Sequence, residues 1–347
     1  MKKIQLTCAH AIVKYLISQK ILVDGKKLPL FAGAFGIFGH GNVACLGQAL
    51  EENKKELPTW RGHHEQNMAL TGIAFSRAKR RKQIFVATSS VGPGSTNMLT
   101  AAAVAMSNRL PMLFLPGDTY ANRMPDPVLQ QVEHFNNPNI TQNDAFKYVT
   151  RYFDRITRPE QILQTLPQAI QTMIDPADCG PACISLSQDV QGETFDYPEE
   201  FFNEKIHTIR RPRPDDYQIK QAADLIKKSK NPIIISGGGI FYSDAMKELS
   251  QFAKKHNIPT AQTVMGYSTM KKDDPYFLGA IGGFGGKAPN DFMKKTDLAI
   301  AIGTKLADFT TGSWTNFENP NFKLVSINVS RFDANKHMAQ SIVGDAK

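Results

Sequence analysis

Glu65 stands in the polar run His63-His64-Glu65-Gln66 and opens a segment with helical spacing that continues to about residue 77. A carboxylate in that place has two readings: it can lie against the partial positive charge of a helix N-terminus, or it can hold a proton in a reaction. Two glycine-rich loops bear on the choice. In the first, Gly33, Gly36, Gly39 and Gly41 surround Phe35, Phe38, His40 and Asn42. The phenylalanines read as anchors to a core, and His40 and Asn42 as polar groups able to reach a ligand. The second loop is Ser89-Ser90-Val91-Gly92-Pro93-Gly94-Ser95-Thr96-Asn97, whose small residues let backbone amides approach a bound group closely. A third cluster, Gly237-Gly238-Gly239, follows the apolar run Ile233-Ile234-Ile235. Such a turn can hold a phosphate, but the dinucleotide fingerprint needs a further glycine at position 242, which is Tyr. A tight strand-to-helix turn is the better reading. Cys179 and Cys183 lack a second Cys or His pair nearby and read as small apolar residues rather than zinc ligands.

The elements that must position these loops follow from periodicity. Ala11, Ile12, Tyr15, Leu16 and Gln19 have helical spacing, with Thr7 as the expected N-cap. Apolar runs then alternate with helical patterns: strands near 30–33, 83–88 and 111–115, helices through 46–50, over 65–77 and after Gly94, a helix near 159–174 and a strand near 182–186. Strands separated by helices imply parallel pairing, because a parallel neighbour is reached only through a crossover. The first α/β domain is expected over 1–189. Residues 190–214 carry Arg210-Arg211-Pro212-Arg213-Pro214 and no sustained period, which reads as a linker. A second α/β run comes next over 215–347, with helices near 217–228 and 243–256 and strands near 232–236, 260–263, 298–302 and 323–328. The chain stops at Lys347 shortly after a strand-like segment, as a piece of a longer protein would.

Bulk properties narrow the class. With 347 residues, 41% hydrophobic and 21% charged, the chain is globular and long enough for two domains. No apolar run approaches the roughly 20 residues of a bilayer span. The net charge of +9 could serve nucleic acid, but the basic runs at 79–82 and 210–213 are short and lack interleaved aromatics, so solvated surface is expected. Four scattered cysteines and no apolar leader after Met1-Lys2-Lys3 point to a reducing, cytoplasmic setting.

His64-Glu65-Gln66, the helix through Ala74 and Arg77, the strand to Thr88 and Gly92-Pro93-Gly94-Ser95-Thr96-Asn97 resemble, in order and spacing, the pyrimidine-binding domain of thiamine-diphosphate enzymes of the acetohydroxyacid synthase group. The resemblance continues through Asn108-Arg109-Leu110-Pro111-Met112 to Pro116-Gly117-Asp118. Four further stretches are similar to one subfamily, the trihydroxycyclohexanedione hydrolases of inositol breakdown: Phe35-Gly36-Ile37-Phe38-Gly39-His40-Gly41-Asn42-Val43, Pro125-Asp126-Pro127-Val128-Leu129-Gln130-Gln131, Arg151-Tyr152-Phe153-Asp154-Arg155-Ile156 and Arg158-Pro159-Glu160-Gln161.

The resemblance implies a thiamine-diphosphate-binding fold of the pyrimidine type followed by a Rossmann-like central domain. It implies Glu65 as the catalytic carboxylate, hydrogen-bonded to the cofactor's pyrimidine from a largely apolar pocket, and Glu65, Gly92, Pro93 and Asn97 as cofactor-binding residues. His40, Arg123 and Gln130 become candidates for binding the hydroxyls of a cyclic diketone. In such enzymes a third domain holds the diphosphate through Mg2+ with a Gly-Asp-Gly stretch and an Asn pair. Gly117-Asp118-Thr119 followed by Asn136-Asn137 lacks the final glycine, so these residues alone are expected to bind no metal and to turn over little. A homodimer or homotetramer is implied, with no nucleic-acid or membrane partner. Two other functions stay open: a carboligase of the acetohydroxyacid synthase type, and a non-catalytic module holding a nucleotide at residues 237–239.

Overall fold

Thr7 sits in extended backbone and its hydroxyl accepts the His10 N–H at 3.3 Å, so the first helix begins at Cys8 and runs as Cys8–Ser18. Its buried face of Cys8, Ala11, Ile12, Tyr15 and Leu16 enters the main core. The helix ends where Gln19 turns into strand Gln19–Val23. The structure is a computed structural model and describes residues 2–124 and 126–347. Met1 of the basic N-terminus and Pro125 of the motif at 125–131 lie outside the described residues.

The chain divides into two units, Met1–Ile209 and Arg210–Lys347. In the first, strands Thr59–Arg61, Phe31–Gly36, Ile84–Thr88, Leu113–Phe114 and Ala182–Ser187 lie side by side in that order. Ala182–Ser187 also pairs with Gly117–Asp118 and with Tyr152–Ile156, and every one of these pairings is parallel. Ile84–Thr88 and Ala182–Ser187 are buried at each position, the continuous pattern of a parallel sheet covered on both faces. Helices Glu65–Ala78, Leu99–Asn108 and Ile162–Ile174 supply the crossovers.

Composition misplaces the boundary. Residues 190–214, read as a linker, are built into the two units. Thr194–Pro198 pairs antiparallel with Lys3–Thr7, and Lys205–His207 pairs parallel with Gln19–Val23. The basic stretch belongs to the second unit: Arg211 Nη1 reaches Asp345 Oδ1 at 3.1 Å, and Asp345 N–H donates to the Pro212 carbonyl at 2.8 Å.

The second unit has six parallel strands in the order Phe277–Ala280, Thr260–Gln262, Pro232–Ser236, Leu298–Ile302, Lys323–Asn328 and Gln340–Val343. Asp216–Lys228, Met246–His256 and Lys287–Lys295 are its longer helices. Gly237 to Gly239 form the tight turn expected of them. Gly237 N–H and Gly239 N–H donate to the carbonyls of Ile302 and Gly303, both at 2.9 Å, and a Cβ on Gly239 would lie 2.5 Å from Gly303 Cα. These glycines let two backbones touch, and two of their amides already have partners.

Candidate active site

The loops of interest leave the carboxyl ends of parallel strands in the first unit, the edge where α/β sheets bind ligands. Phe31–Gly36 runs into residues 37–42. There Phe38 folds back on the backbone, so that a Cβ on Gly36 would meet its ring at 2.5 Å. Phe35 stacks on Phe85 with centroids 4.9 Å apart. Both phenylalanines are anchors, as their pattern suggests. Asn42 is also internal: Oδ1 accepts the Gly39 N–H at 2.9 Å, and Nδ2 donates to Thr88 Oγ1 at 3.0 Å and to the Ile37 carbonyl at 3.2 Å. Of the two polar candidates in this loop, only His40 has capacity left, because its buried Nε2 has no partner.

Strand Ile84–Thr88 leads into residues 89–97. Gly92 has φ +73°, and a Cβ there would lie 2.0 Å from the Gln130 carbonyl oxygen. Only glycine fits that backbone. Pro93 opens the short helix Pro93–Thr96, where its missing N–H costs nothing. The turn delivers Asn97 to Glu65. Asn97 Nδ2 donates to Glu65 Oε2 at 2.8 Å. Glu65 itself is fixed by its helix, whose N-cap is His64, with Nδ1 accepting the Asn67 N–H at 3.4 Å. The other carboxylate oxygen, Oε1, faces Gly94: a Cβ on that glycine would come within 3.3 Å of it.

Glu65, Pro93, Gly94, Asn97 and Gln130 line one cavity of about 420 Å3 together with Ile37, Phe38, Gly39 and Ser90. The structure thus brings together Glu65, Pro93, Asn97 and Gln130, with Gly92 directly behind Gln130. His40 and Arg123 line a different cavity, of about 450 Å3, with Tyr120 and Gln188. The expected apolar surroundings of Glu65 need correction. Ile37 and Phe38 give one apolar wall, but Asn97 and Ser90 are polar and the carboxylate is half-buried. The physical reason is the turn itself, whose final asparagine must reach the carboxylate to hold it.

Residue types alone conceal a second group. Asp118 is fully buried, and its Oδ2 accepts from Arg155 Nε at 2.8 Å, from Thr141 Oγ1 at 3.1 Å and from Ser185 Oγ. Arg155 also pairs with Asp144 Oδ2 at 3.0 Å. Asn143 Nδ2 donates to Ser185 Oγ at 2.8 Å and to the Gly117 carbonyl at 2.9 Å, while its Oδ1 accepts from Ser95 Oγ. Ser95 lies in the short helix that precedes Asn97, so this network ties the Glu65-holding turn to the sheet. The one signal available in the sequence is Asp118 at the end of an apolar strand, where a charge needs a partner.

Residues 31–138 match the model of the thiamine pyrophosphate enzyme N-terminal TPP binding domain, and residues 219–347 that of the thiamine pyrophosphate enzyme central domain. Over all 347 residues the chain is 47% identical to the 3D-(3,5/4)-trihydroxycyclohexane-1,2-dione hydrolase 1 of Bacillus cereus, covering 54% of that protein. It has the same identity to, and the same coverage of, the 3D-(3,5/4)-trihydroxycyclohexane-1,2-dione hydrolases of Clostridium botulinum and Clostridium tetani. The chain therefore spans about half the length of the curated relatives it matches. With the Glu65 turn inside the first matched segment and a parallel sheet making up the second, the chain carries the N-terminal TPP binding and central domains of thiamine pyrophosphate enzymes.

Proposed function

We propose that the chain is the N-terminal part of a thiamine-diphosphate-dependent hydrolase that opens the ring of trihydroxycyclohexane-1,2-dione by carbon–carbon bond cleavage. The observation that carries the reading is the Glu65 carboxylate, held at one oxygen by Asn97 with the other toward a cavity floored by Gly94. The residues fit an aminopyrimidine: Ile37 and Phe38 offer an apolar wall for a flat ring, and the carboxylate can hydrogen-bond a ring nitrogen. Bound thiamine diphosphate supplies a carbon nucleophile for attack on a carbonyl. Glu65 holds a proton at the pyrimidine nitrogen and so biases the ring tautomer, Asn97 orients Glu65, and Gly92 and Pro93 shape the turn. Gln130, His40 and Arg123 are proposed as groups binding the substrate's hydroxyls and developing oxyanion.

The diphosphate would be held through Mg2+ by a domain beyond these two, in a homodimer or homotetramer working in the cytoplasm. The relatives' names support the hydrolase over a carboligase of the acetohydroxyacid synthase type. The turn at residues 237–239, packed on Gly303, gives little support to a nucleotide-binding module. The test is Glu65→Gln in the full-length protein, assayed for ring opening with thiamine diphosphate and Mg2+. A fall in kcat of about 10²- to 10⁴-fold is expected for loss of a proton-transfer carboxylate. Undiminished ring opening would overturn the role of Glu65, and acetolactate as the wild-type product would favour the ligase.

A further inference from the structure

The second cavity is built differently from the one that holds Glu65. Three loops, each leaving the carboxyl end of a parallel strand, surround it: residues 37–42, 119–123 and 188–193. Its volume is about 450 Å3. Small-molecule pockets span roughly 300 to 1000 Å3, so it is of a size to take one. Its charges are already engaged. Asp189 accepts the backbone N–H groups of Ala121 at 3.0 Å, Asn122 at 2.8 Å and Arg123 at 2.9 Å. Glu193 Oε1 accepts from Asn122 Nδ2 at 2.9 Å. The Arg123 guanidinium lies over the Tyr120 ring, 4.8 Å from its centroid. Gln191 Nε2 donates to the Gly41 carbonyl at 2.7 Å.

Among the buried polar atoms without a partner in the described residues are His40 Nε2 and Gln188 Oε1, both of residues that line this cavity. Buried polar groups are normally paired, and leaving one unpaired costs free energy that a ligand can return. An amide oxygen accepts, and an imidazole nitrogen accepts or donates according to its tautomer. A hydroxyl group answers both needs. An anion does not, because it has no hydrogen to donate to the amide oxygen. Tyr120, covered by Arg123, adds a flat surface for the C–H face of a ring.

We propose that this cavity binds a neutral polyhydroxylated six-membered ring, with His40 and Gln188 hydrogen-bonding its hydroxyls and setting specificity. Its identification with the hydroxylated side of the substrate ring rests on the function proposed above. Gln188 is the residue added to the site, and the unpaired atoms distinguish recognition from packing. If His40 and Gln188 were structural, replacing them would lower stability. As ligand groups left unpaired in the protein, they are stability-neutral or costly.

The experiment uses the full-length protein loaded with thiamine diphosphate and Mg2+, with His40→Ala, Gln188→Leu and Gln188→Glu. Thermal melting, turnover of the trihydroxycyclohexane-dione, and calorimetric titration with myo-inositol, a ring polyol without a ketone, are measured on each. Expected are an unchanged or higher melting temperature for Gln188→Leu and a KM raised about fivefold to tenfold in His40→Ala and Gln188→Leu. The two variants should keep thiamine diphosphate affinity and bind myo-inositol more weakly, whereas Gln188→Glu, which keeps an acceptor, should retain most of that binding. Unchanged KM and unchanged myo-inositol affinity in both variants would overturn the site while leaving the hydrolase reading intact. Inositol binding lost in the variants of a protein that leaves the dione untouched would support a polyol site and sink the hydrolase reading.

Discussion

Asn97 and Glu65 come from segments 32 residues apart, and their hydrogen bond decides what the carboxylate can do. With Oε2 engaged, Oε1 is the oxygen left for a ring nitrogen, and its direction is set by an amide rather than by water. Asn97→Ala should therefore lower thiamine diphosphate affinity and kcat together, each by roughly tenfold, the scale of a charge-assisted hydrogen bond. Asn97→Asp should do worse, since two carboxylates would face each other at contact distance. Cofactor titration and turnover of the full-length protein read both effects, and an Asn97→Ala enzyme with wild-type affinity and rate would remove Asn97 from the site. Gly92 acts through backbone alone. It has φ +73° and the Gln130 carbonyl in the place of a side chain. Gly92→Ala should therefore cost about 1–3 kcal/mol or more in urea unfolding. An unchanged midpoint would show that the loop around Gln130 moves aside freely.

Elements explain why part of this site could be read from the chain and part could not. Glu65, Gly92, Pro93 and Asn97 stand next to long periodic segments, and their order along the chain survives as a motif. The fully buried and mostly apolar strands Ile84–Thr88, Ala182–Ser187 and Leu298–Ile302 declare themselves by run length. Lys3–Thr7, Thr194–Pro198 and Lys205–His207 do not, because each is an edge strand, partly exposed, whose partner lies far along the chain. The partners of Asp118 are hidden for the same reason: Ser95, the Thr141–Asn143 turn, Arg155 and Ser185 come from separate segments that only the fold assembles. The energetic weight of this network is testable. Arg155→Ala would leave the Asp118 carboxylate buried without its cation. Breaking a buried pair on one side loses about 3–5 kcal/mol. Asp118→Asn, which keeps an acceptor for Thr141 and Ser185, should cost less. Because the network carries Ser95, Arg155→Ala should also weaken cofactor binding in protein that remains folded. Equal urea midpoints for Arg155→Ala and wild type would contradict the assignment.

At the scale of the whole molecule, the closing strands of the first unit make its stability depend on pH. His207 ends strand Lys205–His207 beside Gln19–Val23. It is 8% exposed, and its Nε2 lies 2.9 Å from Gln19 Oε1, the geometry of a donated hydrogen bond from neutral imidazole. Burial, with the charge of Lys205 adding to it, pushes its pKa down to about 4. The unfolded chain carries an ordinary histidine near 6.5. Above pH 6.5 both states are neutral at this position and the folded state loses nothing. As pH falls through 6.5, the unfolded chain takes up a proton that the folded chain refuses, so stability drops across the window down to about pH 4, where the folded imidazole is protonated as well. His207→Gln retains an amide donor for Gln19 and does not titrate. Its urea midpoint should therefore fall less than that of the wild type between pH 6.5 and pH 4. Carboxylates with lowered pKa values, Asp144 and Asp189 among them, lose their stabilisation at lower pH and do so equally in both proteins, so the difference between the two curves isolates His207. Parallel curves through the window would mean that the edge strand opens before the imidazole charges, and the contact between Lys205–His207 and Gln19–Val23 would then contribute nothing to the fold at acid pH.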